Sequence, residues 1–271
     1  MYVSRTEIDT ARLSPPTLCL ALQDLHERGY VILENALPVS WVHDMRLAFD
    51  EALLKLVDGK PPQAHGGGSP PMIPPFLDPL IIEHPMAVQI VEASMGEGVF
   101  SYLPYGCNTA WPGSPVQWIH RDSKHLFPEV PYALPPATLV VNIPLVDFTL
   151  ENGCTELWPG SHLIVDTDPD IISDPYTRWS EEKASLLPSV RTVMPAGSVV
   201  VRDMRVLHRG MPNRTNIIRS MIALVYFRRF HRLPSDIPCA DLSGVWDGLS
   251  ERARMLYRYS NCPGPDRVKK S

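Results

Sequence analysis

The sequence lacks what would mark a membrane span, a secreted disulfide scaffold or a nucleic-acid binder. No stretch of 18 consecutive apolar residues occurs, so no helix is expected to cross a bilayer. Only five of the 271 residues are cysteine, at Cys19, Cys107, Cys154, Cys239 and Cys262. An odd set with no CxxC pair argues against a disulfide framework or a cysteine-held zinc, and fits a reducing compartment. Arg5, Glu7, Asp9 and Arg12 precede any apolar run. No signal peptide is therefore expected, and a cytoplasmic location is. Positive charge is short as well: 25 Lys and Arg stand against 30 Asp and Glu, a net charge of -5. Without a basic field, neither nucleic acid nor an anionic membrane is an expected partner.

Proline is plentiful. The 29 prolines are roughly twice the usual share. Proline is excluded from helix interiors and central strands, so many loops are expected. With 44% hydrophobic and 20% charged residues, the chain is ordinary globular material. We expect a single domain over 1–271, monomeric or homodimeric, with helices over about 15–96, a β core over about 98–230 and a helical tail.

Residues 17–29 read as a helix closed by Gly29, followed by a short β-type run, Tyr30-Val31-Ile32-Leu33. A longer helix is predicted from Pro38 to about Val57, with Trp41, Val42, Met45, Leu47, Ala48, Ala52, Leu53 and Leu56 on a broad apolar face. Residues 59–75 hold Gly66-Gly67-Gly68 and six prolines. They read as a loop, either a surface excursion or a lid. Residues 84–96 read as a helix. From Gly98 the texture changes to short apolar runs at 99–103, 116–120, 137–146, 155–158, 198–202 and 221–227, which predicts an antiparallel sandwich or barrel. The stretch 166–187 reads as a solvated connection, 250–259 as a helix, and 263–271 as a frayed end.

Within these runs, Gln117-Trp118-Ile119-His120-Arg121-Asp122 carries a histidine and a carboxylate two positions apart. On a strand both point to one face. A second histidine from a remote strand would complete a two-histidine, one-carboxylate triad, the donor set of non-haem iron. His208 is the best candidate, at the end of a β-type run before Met211-Pro212-Asn213. Arg219 follows at the mouth of another strand. A guanidinium there could clamp a carboxylate with two parallel hydrogen bonds.

These motifs, with Glu151-Asn152-Gly153-Cys154-Thr155 leading to Pro159-Gly160-Ser161-His162, resemble the phytanoyl-CoA dioxygenase-like family of Fe(II)/2-oxoglutarate-dependent oxygenases. The resemblance runs from the opening helix to Tyr226. It implies a mainly β fold with flanking helices around a double-stranded β-helix, a cupin-like jelly-roll. It implies that His120, Asp122 and His208 hold Fe(II), that Arg219 binds the distal carboxylate of the cosubstrate 2-oxoglutarate, and that Gln117 contacts that cosubstrate. Asn142 and Thr155 are further candidates for the same role, ordinary buried hydrogen bonding being the other reading of both. With O2, such a site oxidises a C–H bond and releases succinate and CO2. The carboxylate of Asp122 argues for hydroxylation, or another oxidation without halide, rather than halide transfer. A small molecule of specialised metabolism is the expected substrate. The alternatives are an acyl-CoA, a cupin-like protein without oxygenase activity, and a zinc enzyme on the same triad. Arg214 is the reserve for the anchor. His162 is read as a turn stabiliser, His125 as solvated, Trp118 and Trp158 as packing residues. His65 and His231 would reach a substrate only if their loops folded over the site.

Overall fold

A computed structural model describes residues 1–232 and 240–260. Cys239, Cys262 and the tail 263–271 lie outside the described residues. The helices are α1 (Arg5–Thr10), α2 (Pro15–Arg28), α3 (Val39–Leu56), α4 (Pro79–Ile82), α5 (Pro85–Met95), α6 (Pro169–Ser173), α7 (Glu181–Ala184) and α8 (Glu251–Leu256). The strands are β1 (Tyr30–Leu33), β2 (His65–Gly68), β3 (Gly106–Ala110), β4 (Thr138–Pro144), β5 (Thr155–Leu157), β6 (Val190–Arg191), β7 (Val199–Asp203), β8 (His208–Gly210) and β9 (Arg219–Phe227).

The proline content is used mainly at helix starts and in loops. α2, α4, α5 and α6 all begin with proline in the first turn, where the missing N–H would have had no partner. α5 is capped by a histidine: His84 Nδ1 accepts from Ala87 N (3.3 Å) and Nε2 donates to Ala36 O (3.3 Å). Burial pushes His84 down to about 4 from its ordinary 6.5. The unfolded chain therefore binds the proton first as pH falls. Stability should be full above about 6.5 and lost progressively towards 4, by up to ~3 kcal/mol from this side chain. His84→Asn keeps a capping acceptor and should flatten that acid limb in melts followed by circular dichroism. An unchanged limb would place the acid sensitivity elsewhere.

The strands form a six-stranded sheet, in the order β1-β7-β4-β9-β3-β2, and a three-stranded sheet, β6-β5-β8. Every pairing within them is antiparallel. The two-residue period of a strand sorts the large sheet's side chains. Leu139, Val141 and Ile143 of β4, Val199 and Val201 of β7, and Ile222, Leu224 and Tyr226 of β9 share one core with Val42, Met45, Phe49 and Leu53 of α3. The alternate residues Asn142, Val200, Arg202, Arg219 and Met221 line a cavity instead. A turn held by Asn152, whose Nδ2 donates to Asp147 O (2.7 Å) and whose Oδ1 accepts from Thr149 N (2.9 Å), leads into β5. Gly153 is needed there: its φ is +80°, and a Cβ would lie 2.4 Å from Met211 O.

Several expectations are corrected. The glycine loop contains β2, an edge strand paired through Gly66↔Thr109 and Gly67↔Asn108. Glycine suits it because a Cβ on Gly67 would sit 2.8 Å from Cys107 O. β1 and β2 both join the large sheet, so the β core recruits strands from well before residue 98. The runs 99–103 and 116–120 make only the isolated bridges Phe100↔Phe227, Ile119↔Trp179 and His120↔His208, with Pro104 and Pro115 limiting extension. β3 was missed because Gly106-Cys107-Asn108-Thr109-Ala110 has no apolar run. α1 was missed because it has no apolar stripe, although Ser4 and Glu7 form a reciprocal capping box. The stretch 166–187 is not merely solvated: Ile171, Trp179 and Ala184 pack with Ile119, Trp158 and Leu207.

Candidate metal centre

His120 and His208 are set side by side by their own backbones. His120 N donates to His208 O (3.0 Å) and His208 N donates to His120 O (2.9 Å), and the ring centroids are 4.3 Å apart. Asp122 N is tied to Met204 O (3.0 Å). One potential ligand atom from each of His120, Asp122 and His208 falls within 4.8 Å of the others.

The second nitrogen of each ring has a fixed duty. Nδ1 of His120 lies 2.9 Å from Trp118 O, and Nδ1 of His208 lies 3.1 Å from Val206 O. A carbonyl can only accept, so each Nδ1 carries a proton, and in the neutral ring that tautomer leaves Nε2 with its lone pair for a metal. Those Nε2 atoms stand 3.7 Å and 3.4 Å from the Asp122 carboxylate. Burial, with Arg202 beside it, pushes His208 down to about 3, keeping the imidazole neutral. Burial by itself would raise Asp122, but His208 and Arg202 outweigh it and hold the carboxylate well below its usual range. Two imidazoles with Nδ1 held by carbonyls and one carboxylate converging on a point are the donor chemistry of a divalent cation, and this set fits iron.

The triad lies in the wall of a cavity of ≈ 290 Å³ lined by residues of both sheets. Gln117, Asn142, Thr155 and Arg219 line the same cavity. Gln117 Oε1 accepts from Gly210 N (2.8 Å), which orients its amide. Asn142 Nδ2 donates to Ile222 O (3.3 Å). The Thr155 carbonyl accepts from Thr192 N and Oγ1 (both 2.9 Å). Arg219 differs from these. It is buried, its Nε has no partner, and no carboxylate lies within ion-pair distance of it among the described residues. Its guanidinium sits 4.8 Å from the centre of the Phe148 ring, and burial pulls it down to about 10. A buried cation without an anion is costly unless a ligand supplies one.

One wall residue was expected at the site only through a loop folding over it, and a second escaped the sequence reading. His65, on β2, reaches the cavity and bonds Pro115 O (2.7 Å); its recruitment depends on the strand hidden in the glycine loop. Arg202, on β7, bonds Asp122 Oδ2 (2.5 Å). Its signal was a charge in phase with Val200 at the end of the run Val199-Val200-Val201. Three further side chains are placed differently from expectation or as expected. His125 is buried, with Nε2 2.9 Å from Ile164 O, rather than solvated. Trp118 is 55% exposed, 6.2 Å from Tyr176 and 6.5 Å from His120 between ring centroids, and so is no packing residue. His162 does hold its turn, bonding His26 O (3.0 Å). Between the two ligands, buried Arg121 pairs with Asp166 (3.3 Å) and donates to Ser161 O (2.8 Å), anchoring the metal-bearing segment to the stretch 166–187.

Comparison with known proteins agrees with this architecture. The chain is 28% identical to the iron/alpha-ketoglutarate-dependent dioxygenase ausO of Aspergillus calidoustus over 209 residues, covering 72% of this chain and 65% of ausO. It is 33% identical to ausU of the same organism over 105 residues, 38% of this chain and 30% of ausU. It is 28% identical to dioxygenase FrzG of Cladobotryum sp over 148 residues, 54% of this chain and 46% of FrzG. The chain thus spans less than half the length of ausU and FrzG. Among solved structures, the epimerase SnoN in complex with Fe3+, alpha ketoglutarate and nogalamycin RO superposes with a TM-score of 0.60 at 18% identity, covering 79% of this chain and 84% of SnoN. AviO1 from Streptomyces viridochromogenes Tue57 gives 0.59 at 19% identity, covering 84% of this chain and all of AviO1. At these identities the likeness is one of fold. The family description "Phytanoyl-CoA dioxygenase (PhyH)" matches residues 25–221, and the chain belongs to the phytanoyl-CoA dioxygenase family.

Proposed function

We propose that this protein is an Fe(II)- and 2-oxoglutarate-dependent dioxygenase that hydroxylates a C–H bond of a small molecule in specialised metabolism, and that its two sheets are the halves of a distorted double-stranded β-helix. His120, Asp122 and His208 hold the iron, and Arg219 takes the distal carboxylate of 2-oxoglutarate. The observation that carries the reading is that Arg219, a buried cation with no anion in the chain, lines the same cavity as three convergent metal donors. Iron bound there, with 2-oxoglutarate and O2, would supply the oxidising power, the cosubstrate leaving as succinate and CO2. The protein's part is positional. Backbone carbonyls fix the two imidazole tautomers, and Arg202 fixes the carboxylate. Gln117, Asn142 and Thr155 supply the polar wall along the cosubstrate. The cavity is at the small end of ligand pockets, so it favours a compact molecule over an enclosed acyl-CoA. The substrate-class reading also draws support from the relatives, among them the SnoN carrying nogalamycin RO.

The test is oxygen-free addition of 2-oxoglutarate to the Fe(II)-loaded protein, followed by exposure to O2. A visible charge-transfer absorption followed by 2-oxoglutarate-dependent succinate release is expected. Neither signal with iron, or equal hydrolytic activity with zinc, would rule the reading out.

A further inference from the structure

We propose that the substrate is a small carboxylate and that Arg202 binds its carboxylate beside the metal. The inference rests on the function proposed above and deepens it.

Arg202 stands on β7 two positions after Val200, and the strand period points both into the cavity. Its side chain is only 6% exposed. One guanidinium nitrogen, Nη2, is committed to Asp122 Oδ2 at 2.5 Å. The other, Nη1, lies 3.4 Å from His208 Nδ1. That second contact is not a usable hydrogen bond in the metal-ready state. His208 Nδ1 holds a proton directed at Val206 O, and a nitrogen that donates this proton has no lone pair to accept another. Were Nδ1 to accept from Arg202 instead, the proton would move to Nε2 and the ring could not ligate. The tautomer that binds metal is therefore the one in which His208 offers Arg202 Nη1 no acceptor, and Arg202 is a cavity-lining residue.

Charge makes the same demand. Asp122 is the one carboxylate lining the cavity among the described residues, while Arg202 and Arg219 both line it as cations. A divalent metal brings the wall to three net positive charges, and the 2-oxoglutarate dianion offsets two. One positive charge remains in a confined site, with His208 offering Nη1 no acceptor. A substrate carboxylate meets both needs with one charge-assisted contact. Because Arg202 touches two of the three ligand residues, the carbon that is oxidised lies close to that carboxylate in the substrate.

The probe is butyrate, with 1-butanol as a neutral molecule of the same chain length, titrated calorimetrically into protein holding Mn(II) and saturating 2-oxoglutarate in halide-free buffer. Butyrate should bind at least about tenfold tighter than 1-butanol. Arg202→Met and Arg202→Gln should remove that preference and lower butyrate affinity by a larger factor than 2-oxoglutarate affinity. Arg202→Lys should keep part of it, since a point charge replaces a fork. The proposal is overturned if butanol binds as well as butyrate, or if the neutral variants keep the preference. It is also overturned if 2-oxoglutarate affinity falls at least as far as butyrate affinity, because Arg202 then serves the cosubstrate. Absence of any 2-oxoglutarate isotherm in the unmodified protein overturns the function reading as well, which separates the two failures.

Discussion

His120→Ala and Asp122→Ala are each expected to lower iron-dependent turnover by about 100-fold or more, because each removes one of three protein ligands and even supporting groups around a metal are worth 10–100-fold. The two variants should differ in stability. His120 is held from behind by Trp118 O, and its loss leaves only that carbonyl to find water. Asp122 accepts from Arg202, whose side chain is 6% exposed. Its removal strands a buried cation, at a cost of about 3–5 kcal/mol where burial is complete and less here, because the Asp122 side chain is 31% exposed. Melting curves should therefore show Asp122→Ala as the weaker fold and His120→Ala near the parent, with iron content low in both. Parent-like turnover at either position would remove the triad from the mechanism.

Arg219→Leu should weaken 2-oxoglutarate binding by about 2–5 kcal/mol, the usual loss on truncating one side of a buried charge pair, which corresponds to roughly thirtyfold to several thousandfold. The same change should not destabilise the ligand-free protein. Arg219 has an unpartnered Nε and no carboxylate within ion-pair distance among the described residues, so a leucine in its place removes a desolvated charge rather than a bond. The expected signature is an unchanged or raised melting temperature without ligand, together with loss of the stabilisation that 2-oxoglutarate confers on the parent. Arg219→Lys should recover only part of the affinity, because an ammonium cannot present two parallel donors. A parent-like 2-oxoglutarate isotherm in Arg219→Leu would move the anchor elsewhere, with Arg214 the next residue to change.

Some of this was written in the chain. His120 and Asp122 share a face wherever the backbone is extended, since that follows from a period of two, and Gly29 stops α2 where a left-handed residue is needed. Asn142 stood out as a polar side chain inside the run 137–146, but which residues of β4, β7 and β9 face the core and which face the cavity emerged only with the packed sheets. Non-local placement was another matter. That His208 stands against His120 depends on a backbone bridge between segments far apart in sequence, which no local preference encodes; motif resemblance suggested it, and only the packed sheets set the distance. β2 and β3 were invisible because glycine and small polar residues carry no hydrophobic period, and their pairing is imposed by neighbouring strands. Arg202 was read as part of a strand and not as a site residue, because its meaning lies in what it faces. A guanidinium is an exposed charge or a metal-site partner according to its depth in the fold, and here the closure of two sheets around one cavity made Arg202 a partner of Asp122 and left Arg219 without an anion of its own.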